Sequence, residues 1–207
     1  MTIITRKIMK MKISSTPKSA PTNLLALLAC AAAALLAGCV VESVYPYYTE
    51  KDLTFDPALV GQWRNSEKTN EFWRFEKSGA KSYAFTTLDA NETNDYDAHL
   101  FRLQKQLFLD ACTTNRTDNQ LPLHHVLKVA QLEPSLKTAV LNYGWLKELL
   151  EKNPRAIRHI VVLEHPADTN SNKMIYLTAD TKELQKIILK YAADTNAFAA
   201  LDEMQRK

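Results

Sequence analysis

The side chains able to do chemistry fall into a few sets. His124 and His125 stand next to each other, two imidazoles of the kind that bind zinc or carry protons near neutral pH. Cys112 follows Asp110 by two residues and, with His99, offers a thiol, a base and an acid. Asp89, Glu92, Asp95 and Asp97 gather around one polar stretch, where opposed carboxylates would serve as general acid and base. Arg74 and Arg102 lie inside alternating apolar segments. They would hold an anionic group if turned to a cavity, and face water otherwise.

Spacing removes most of this chemistry. On a strand, consecutive side chains point to opposite faces, so His124 and His125 cannot share one ion. His99, His159 and His165 complete no H-x-H or H-x-x-x-H pattern, and no metal site is expected. Asp110 and Cys112 share a face of a strand that ends at Cys112, where a small apolar thiol is an ordinary occupant. The carboxylates read as a solvated loop. The four glycines, Gly38, Gly61, Gly79 and Gly144, are too scattered for a phosphate-cradling loop. Three separated cysteines make neither a disulfide framework nor a cysteine zinc site. A non-enzymatic protein without a cofactor is the expectation.

The elements that would position these residues are mostly strands. Asp56-Pro57-Ala58-Leu59 predicts a short helical turn, with Asp as cap and Pro at the first position. Period-two alternation then predicts strands over 60–64, 71–77, 81–88, 96–103, 106–112, 123–132 and 136–141, with tight turns at Ser78-Gly79 and Gln104-Lys105. Trp145, Leu146, Leu149 and Leu150 recur at helical spacing, and Asn153-Pro154 ends that helix. The stretch 155–163 has no decisive period, and 173–177 reads as a short strand. Asp180 with Glu183 makes a capping box for a helix striped by Leu184, Ile187, Ile188 and Tyr191. A last helix is expected over about 196–204.

The fold class is therefore α+β and mainly antiparallel β, a meander barrel or half-barrel followed by two or three C-terminal helices. An antiparallel β-domain over 55–142 and helices with one short strand over 143–207 would pack as one domain. Trp63, Trp73, Phe75, Tyr83, Phe85, Phe101 and Phe108 would form its core. Trp63, Trp73, Phe75, Tyr83 and Phe85, with Arg74 and Arg102, become a ligand pocket if the barrel leaves a void.

The N-terminus carries an address. Residues 1–38 hold five bases (Arg6, Lys7, Lys10, Lys12 and Lys18) and no acid, and Leu24–Ala37 is an apolar run of 14. Such a run is shorter than the ~20 residues a bilayer-spanning helix needs, and it matches the apolar region of a secretory signal. The run ends in Leu36-Ala37-Gly38-Cys39, which resembles the bacterial lipobox. That resemblance implies cleavage before Cys39 and a lipid on its sulfur, with residues 40–54 as a tether from the membrane. Fifteen such residues reach about 50 Å at most. Tyr45, Tyr47 and Tyr48 would sit at the lipid interface or pack on the domain. Val40 rather than Asp after the cysteine implies, in a Gram-negative envelope, the periplasmic side of the outer membrane. Removing the five bases leaves 21 against 23 acids, a net of −2, which excludes an electrostatic footprint for nucleic acid.

Gly61-Gln62-Trp63, opening the first long strand, resembles the Gly-x-Trp signature of lipocalins, in which the Trp plugs the closed end of a ligand-holding barrel. With AHLFRLQKQLFLDA and LTADTKELQKIILKYA, the chain is also similar to a set of uncharacterised bacterial lipoproteins. The resemblance implies a lipocalin-like β-domain plus helices and no known activity. The expected role is a lipid-anchored envelope protein whose β-domain binds an apolar ligand or an envelope component. The alternative is a structural or regulatory lipoprotein docking on an envelope protein complex through the stripe of its C-terminal helix.

Overall fold

A computed structural model of the chain describes residues 41–65, 67, 70–88, 92–114, 121–163, 173–198 and 202–207. Cys39 and residues 1–38, expected above to be a secretory signal, lie outside the described residues, as do Asp89 and His165.

Eight strands close into an antiparallel barrel. They are β2 (Gly61–Asn65), β3 (Phe72–Lys77), β4 (Tyr83–Leu88), β5 (Thr93–Leu103), β6 (Gln106–Thr113), β7 (His124–Gln131), β8 (Ser135–Val140) and β11 (Asp202–Arg206). Each pairs with the next, and β11 fills the seam between β8 and β2. Between β8 and β11 the chain makes α1 (Tyr143–Lys152), β9 (His159–Leu163), β10 (Lys173–Leu177) and α2 (Thr181–Lys190). A two-residue strand β1 (Glu42–Ser43) joins β10 in parallel and touches the start of β7.

The alternation in the sequence sets the two faces. On β3, Trp73 and Phe75 are buried while Arg74 and Glu76 are exposed. The barrel interior holds Trp63, Phe75, Tyr83, Leu100, Leu109, Leu136 and Met204. Strands β5 to β8 are covered on both sides. Their outward Phe101, Phe108, Val126 and Ala139 form a second core with Leu146 and Leu150 of α1 and Leu184, Ile187 and Ile188 of α2.

One end of the barrel is sealed. Asp56 accepts the Ala58 N–H to cap a one-turn helix at Pro57–Leu59, and the Trp63 indole donates to the Leu59 carbonyl at 2.9 Å. The Arg206 guanidinium lies 4.5 Å from the Trp63 ring and donates to the carbonyls of Ala58 and Val60. Gly61 has φ of 139°, and a Cβ there would come within 2.7 Å of Arg206 Nη1. Only glycine suits that backbone beside that side chain.

The structure departs from the sequence expectations at several points. The last helix is instead β11, whose single buried side chain, Met204, points into the barrel. Its ladder partners lie on β2 and β8, remote in sequence, and that pairing overrides the helix expected over about 196–204. The C-terminal region thus holds two helices and three strands among the described residues rather than two or three helices and one strand. The stretch 155–163 resolves into a turn followed by β9.

Residues 41–54 are not a free tether. Val41, Ser43, Tyr47 and Leu53 are buried, Leu53 bridges to Phe101, and Gln185 on α2 donates to the Tyr47 carbonyl. Tyr48 stacks on His99 at 4.7 Å, and of the three tyrosines only Tyr45 is exposed. Phe101 and Phe108 belong to the outer core, because β5 and β6 carry apolar residues on both faces. The stripe Leu184, Ile187 and Ile188 is buried, and Tyr191 packs on Trp145 at 4.7 Å.

Candidate functional site

The end of the barrel opposite Trp63 holds an apolar cavity of about 230 Å³. Trp73, Phe85, Leu127 and Val140 give it apolar walls, with Tyr96, Thr87, Glu71 and His125 supplying the polar atoms. Its floor is a chain of rings. Trp73 meets Phe85 edge-on at 5.3 Å, Phe85 stacks on Phe75 at 4.3 Å, and Tyr96 stacks on Phe85 at 5.3 Å. Ala111 on β6, level with His125 on β7, adds a small side chain to the lining.

His125 is the polar feature of this mouth. Its ring meets Tyr96 edge-on at 6.0 Å, and its Nδ1 is buried with no hydrogen-bond partner among the described residues. Burial pulls its pKa below the ordinary histidine range, against the opposite pull of Asp110, so the ring is neutral at neutral pH. Glu42 Oε1 stands 4.0 Å from His125 Nε2, and burial raises the carboxyl above its ordinary range. With the imidazole neutral, this is proximity rather than an ion pair.

Of the pocket expected from sequence, the structure brings Trp73 and Phe85 to the cavity wall. Trp63, Phe75 and Tyr83 lie deeper and fill the barrel. Arg74 faces outward, as the alternation of β3 requires, while Arg102 is in phase with Ala98 and Leu100 but lies exposed near the far end of β5; neither lines the cavity. The sequence reading missed Tyr96, Ala111, His125, Leu127 and Val140. Their signal was strand phase: Tyr96 shares a face with Ala98 and Leu100, and His125 with Leu127 and Val129.

His124, one residue earlier, takes the outer face. Its Nδ1 lies 2.7 Å from Asp110 Oδ1, and the other carboxylate oxygen accepts the Tyr47 backbone N–H at 2.9 Å. Burial alone would lower the His124 pKa, but hydrogen bonds to Asp110 and Cys112 and the charge of Asp110 override it and push it up to about 9. At neutral pH the ring is therefore charged, and Nδ1–H donates to a fully buried carboxylate. Asp110 thus clamps the N-terminal segment onto the barrel.

Asp110 and Cys112, expected on one face of their strand, are joined there by an imidazole, that of His124 rather than His99. Cys112 pairs across strands with His124 and its thiol donates weakly to the Thr113 carbonyl at 3.9 Å. The ring is already protonated, so it has no lone pair with which to take a proton from the thiol. Among the described residues no group of three or more His, Cys, Asp or Glu is placed to hold a metal ion. Asp95 and Asp97 lie on β5 rather than in a loop, and Asp95 accepts from the hydroxyl of Thr86, its ladder partner on β4.

A larger groove of about 420 Å³ runs between α1 and α2. Arg158 there bonds Asp180 and Glu183 at 3.0 Å, so its charge is already matched. No helix among the described residues is long and apolar enough to cross a membrane. No family model, curated protein or solved structure matches the chain.

Proposed function

We propose that the chain is a lipocalin-like, lipid-anchored envelope protein, attached through Cys39 and facing the periplasm from the outer membrane, whose barrel mouth takes the apolar end of a small ligand or envelope lipid. The observation that carries this reading is the aromatic-floored cavity at one end of an otherwise filled barrel. Sites that enclose a drug-sized ligand run to roughly 300–1,000 Å³, and this one is about 230 Å³. It suits a chain end rather than a whole lipid. The role is binding rather than catalysis, since the outer-face cluster is engaged in holding the N-terminal segment. Docking on a protein complex through the stripe of α2 is not favoured, because Leu184, Ile187 and Ile188 are buried against the barrel.

The test is binding of a series of n-alkyl ligands, with native mass spectrometry of the protein from its host. Each methylene that enters contributes ~0.8 kcal/mol, about fourfold in affinity. Affinity should climb by that factor and level off once the cavity is full. Absence of both a co-purifying lipid and any chain-length dependence would refute the binding role.

A further inference from the structure

Strand β9 is a terminal strand of the sheet and carries an apolar sequence with no charged residue. Ile160, Val161, Val162 and Leu163 are 51%, 51%, 44% and 41% exposed. Exposed apolar edges invite pairing with other chains, and natural proteins blunt them with charge, proline or a cover. Within β9 none of these devices is present.

The position of this strand relative to the chain's start supplies the cover. Glu42 is level with Tyr176 on β10, and Tyr176 with Ile160 on β9. Two inter-strand steps, about 10 Å in all, separate β1 from β9. Val41 is 1% exposed and fixed in the outer core. Only Val40 separates it from Cys39, two chain steps with a reach of about 7 Å at most.

We infer that β9 lies against the bilayer surface, its apolar residues seated at the interface beside the lipid on Cys39. The inference rests on the proposed lipidation of Cys39. A lipid held so close to Val41 cannot let the globule drift tens of ångströms away, and the uncharged apolar strand is two strands from that point. The contact is apolar. The bilayer is the occupant because the anchor ends beside the strand.

The test uses the mature lipoprotein in vesicles of phosphatidylethanolamine and phosphatidylglycerol. An environment-sensitive fluorophore is placed on Val162→Cys in a Cys112→Ser background, with Val161→Cys as a second position. Lys105→Cys, in the turn between β5 and β6 at the sealed end, is the comparison. The expected result is a blue shift and loss of emission to nitroxide-bearing lipids for the β9 labels, and neither for the Lys105 label. The mass of the same protein reports the lipid independently. A lipidated protein whose β9 labels are as wet as the Lys105 label overturns the docking and leaves the anchor standing. A chain without lipid mass overturns the anchor, and the docking with it. Burial of the β9 labels that depends on protein concentration and not on vesicles assigns the strand to a second copy, and also overturns the inference.

Discussion

The clamp between His124 and Asp110 ties stability to pH, with a sign fixed by the protonation state the fold favours. The folded pKa of His124 is about 9, against an ordinary 6.5. The contribution is therefore complete below about pH 6.5 and is lost as pH rises through about 9. Two and a half pKa units correspond to about 3 kcal/mol as a ceiling, and with the His124 side chain 12% exposed and Asp110 at 0% little of this is screened. His124→Gln keeps an amide that can donate to Asp110 but removes the charge. Urea unfolding followed by tryptophan fluorescence should show wild type ahead of the variant by up to about 3 kcal/mol near pH 6, with the gap closing by about pH 10. His125, whose depressed pKa makes the fold weaker at low pH, is present in both proteins, but the His124 charge adds to that depression, so its loss in the variant narrows the gap at low pH. Cleavage within residues 45–50 should quicken in wild type as the pH passes about 9, because Asp110 also holds Tyr47. A stability gap that stays constant across the range would mean that His124 is uncharged in the fold, and would refute the clamp as an ion pair.

Two substitutions test the barrel itself. Gly61→Ala imposes a Cβ at positive φ within 2.7 Å of Arg206 Nη1. It should lower stability by more than about 1 kcal/mol in chemical denaturation, whereas an unchanged midpoint would mean that the sealed end is not built around that contact. Thr138 Oγ1 is buried with no partner among the described residues. Thr138→Val should therefore leave stability unchanged or raise it by about 1 kcal/mol, and a loss would show that the hydroxyl is bonded in solution.

Local chemistry made much of this fold legible. The cap at Asp56, the Asp180 cap that accepts the Glu183 N–H, and the helix stop at Asn153 are written in adjacent residues and appear where the sequence placed them, although the Glu183 carboxylate bonds Arg158. The alternation of β3 and the aromatic pair Tyr83 and Phe85 of β4 likewise marked the buried side of those strands. What escaped was non-local. Met204 enters the barrel because β2 and β8 offer open ladders, and nothing within residues 196–207 announces that. Tyr47 is drawn down by Asp110, 63 residues away. Strands β5 and β6 are apolar on both faces, so phase alone could not say whether Phe101 or Leu100 points inward. The mouth was missed for a related reason. It is defined by what is small, Ala111, as much as by the rings around it, and absence of volume is visible only once the strands are paired.

The packed N-terminal segment changes what a small cavity can do. A free tether of fifteen residues would let the barrel roam about 50 Å from its anchor, and a ligand would have to leave the bilayer whole. Each methylene withdrawn into water loses ~0.8 kcal/mol, and a cavity of about 230 Å³ cannot offset that for a full acyl chain. With Cys39 lipidated as proposed, the two residues before Val41 remove the requirement. Glu42, one residue further on, stands at the mouth beside His125. The mouth and the proposed anchor are thus three chain steps apart, about 11 Å at full stretch. A ligand could then place only its tip among Trp73, Phe85 and Leu127 while the rest stays in the membrane. Under that arrangement the barrel samples chains at the bilayer surface, and the modest size of its cavity follows from its position.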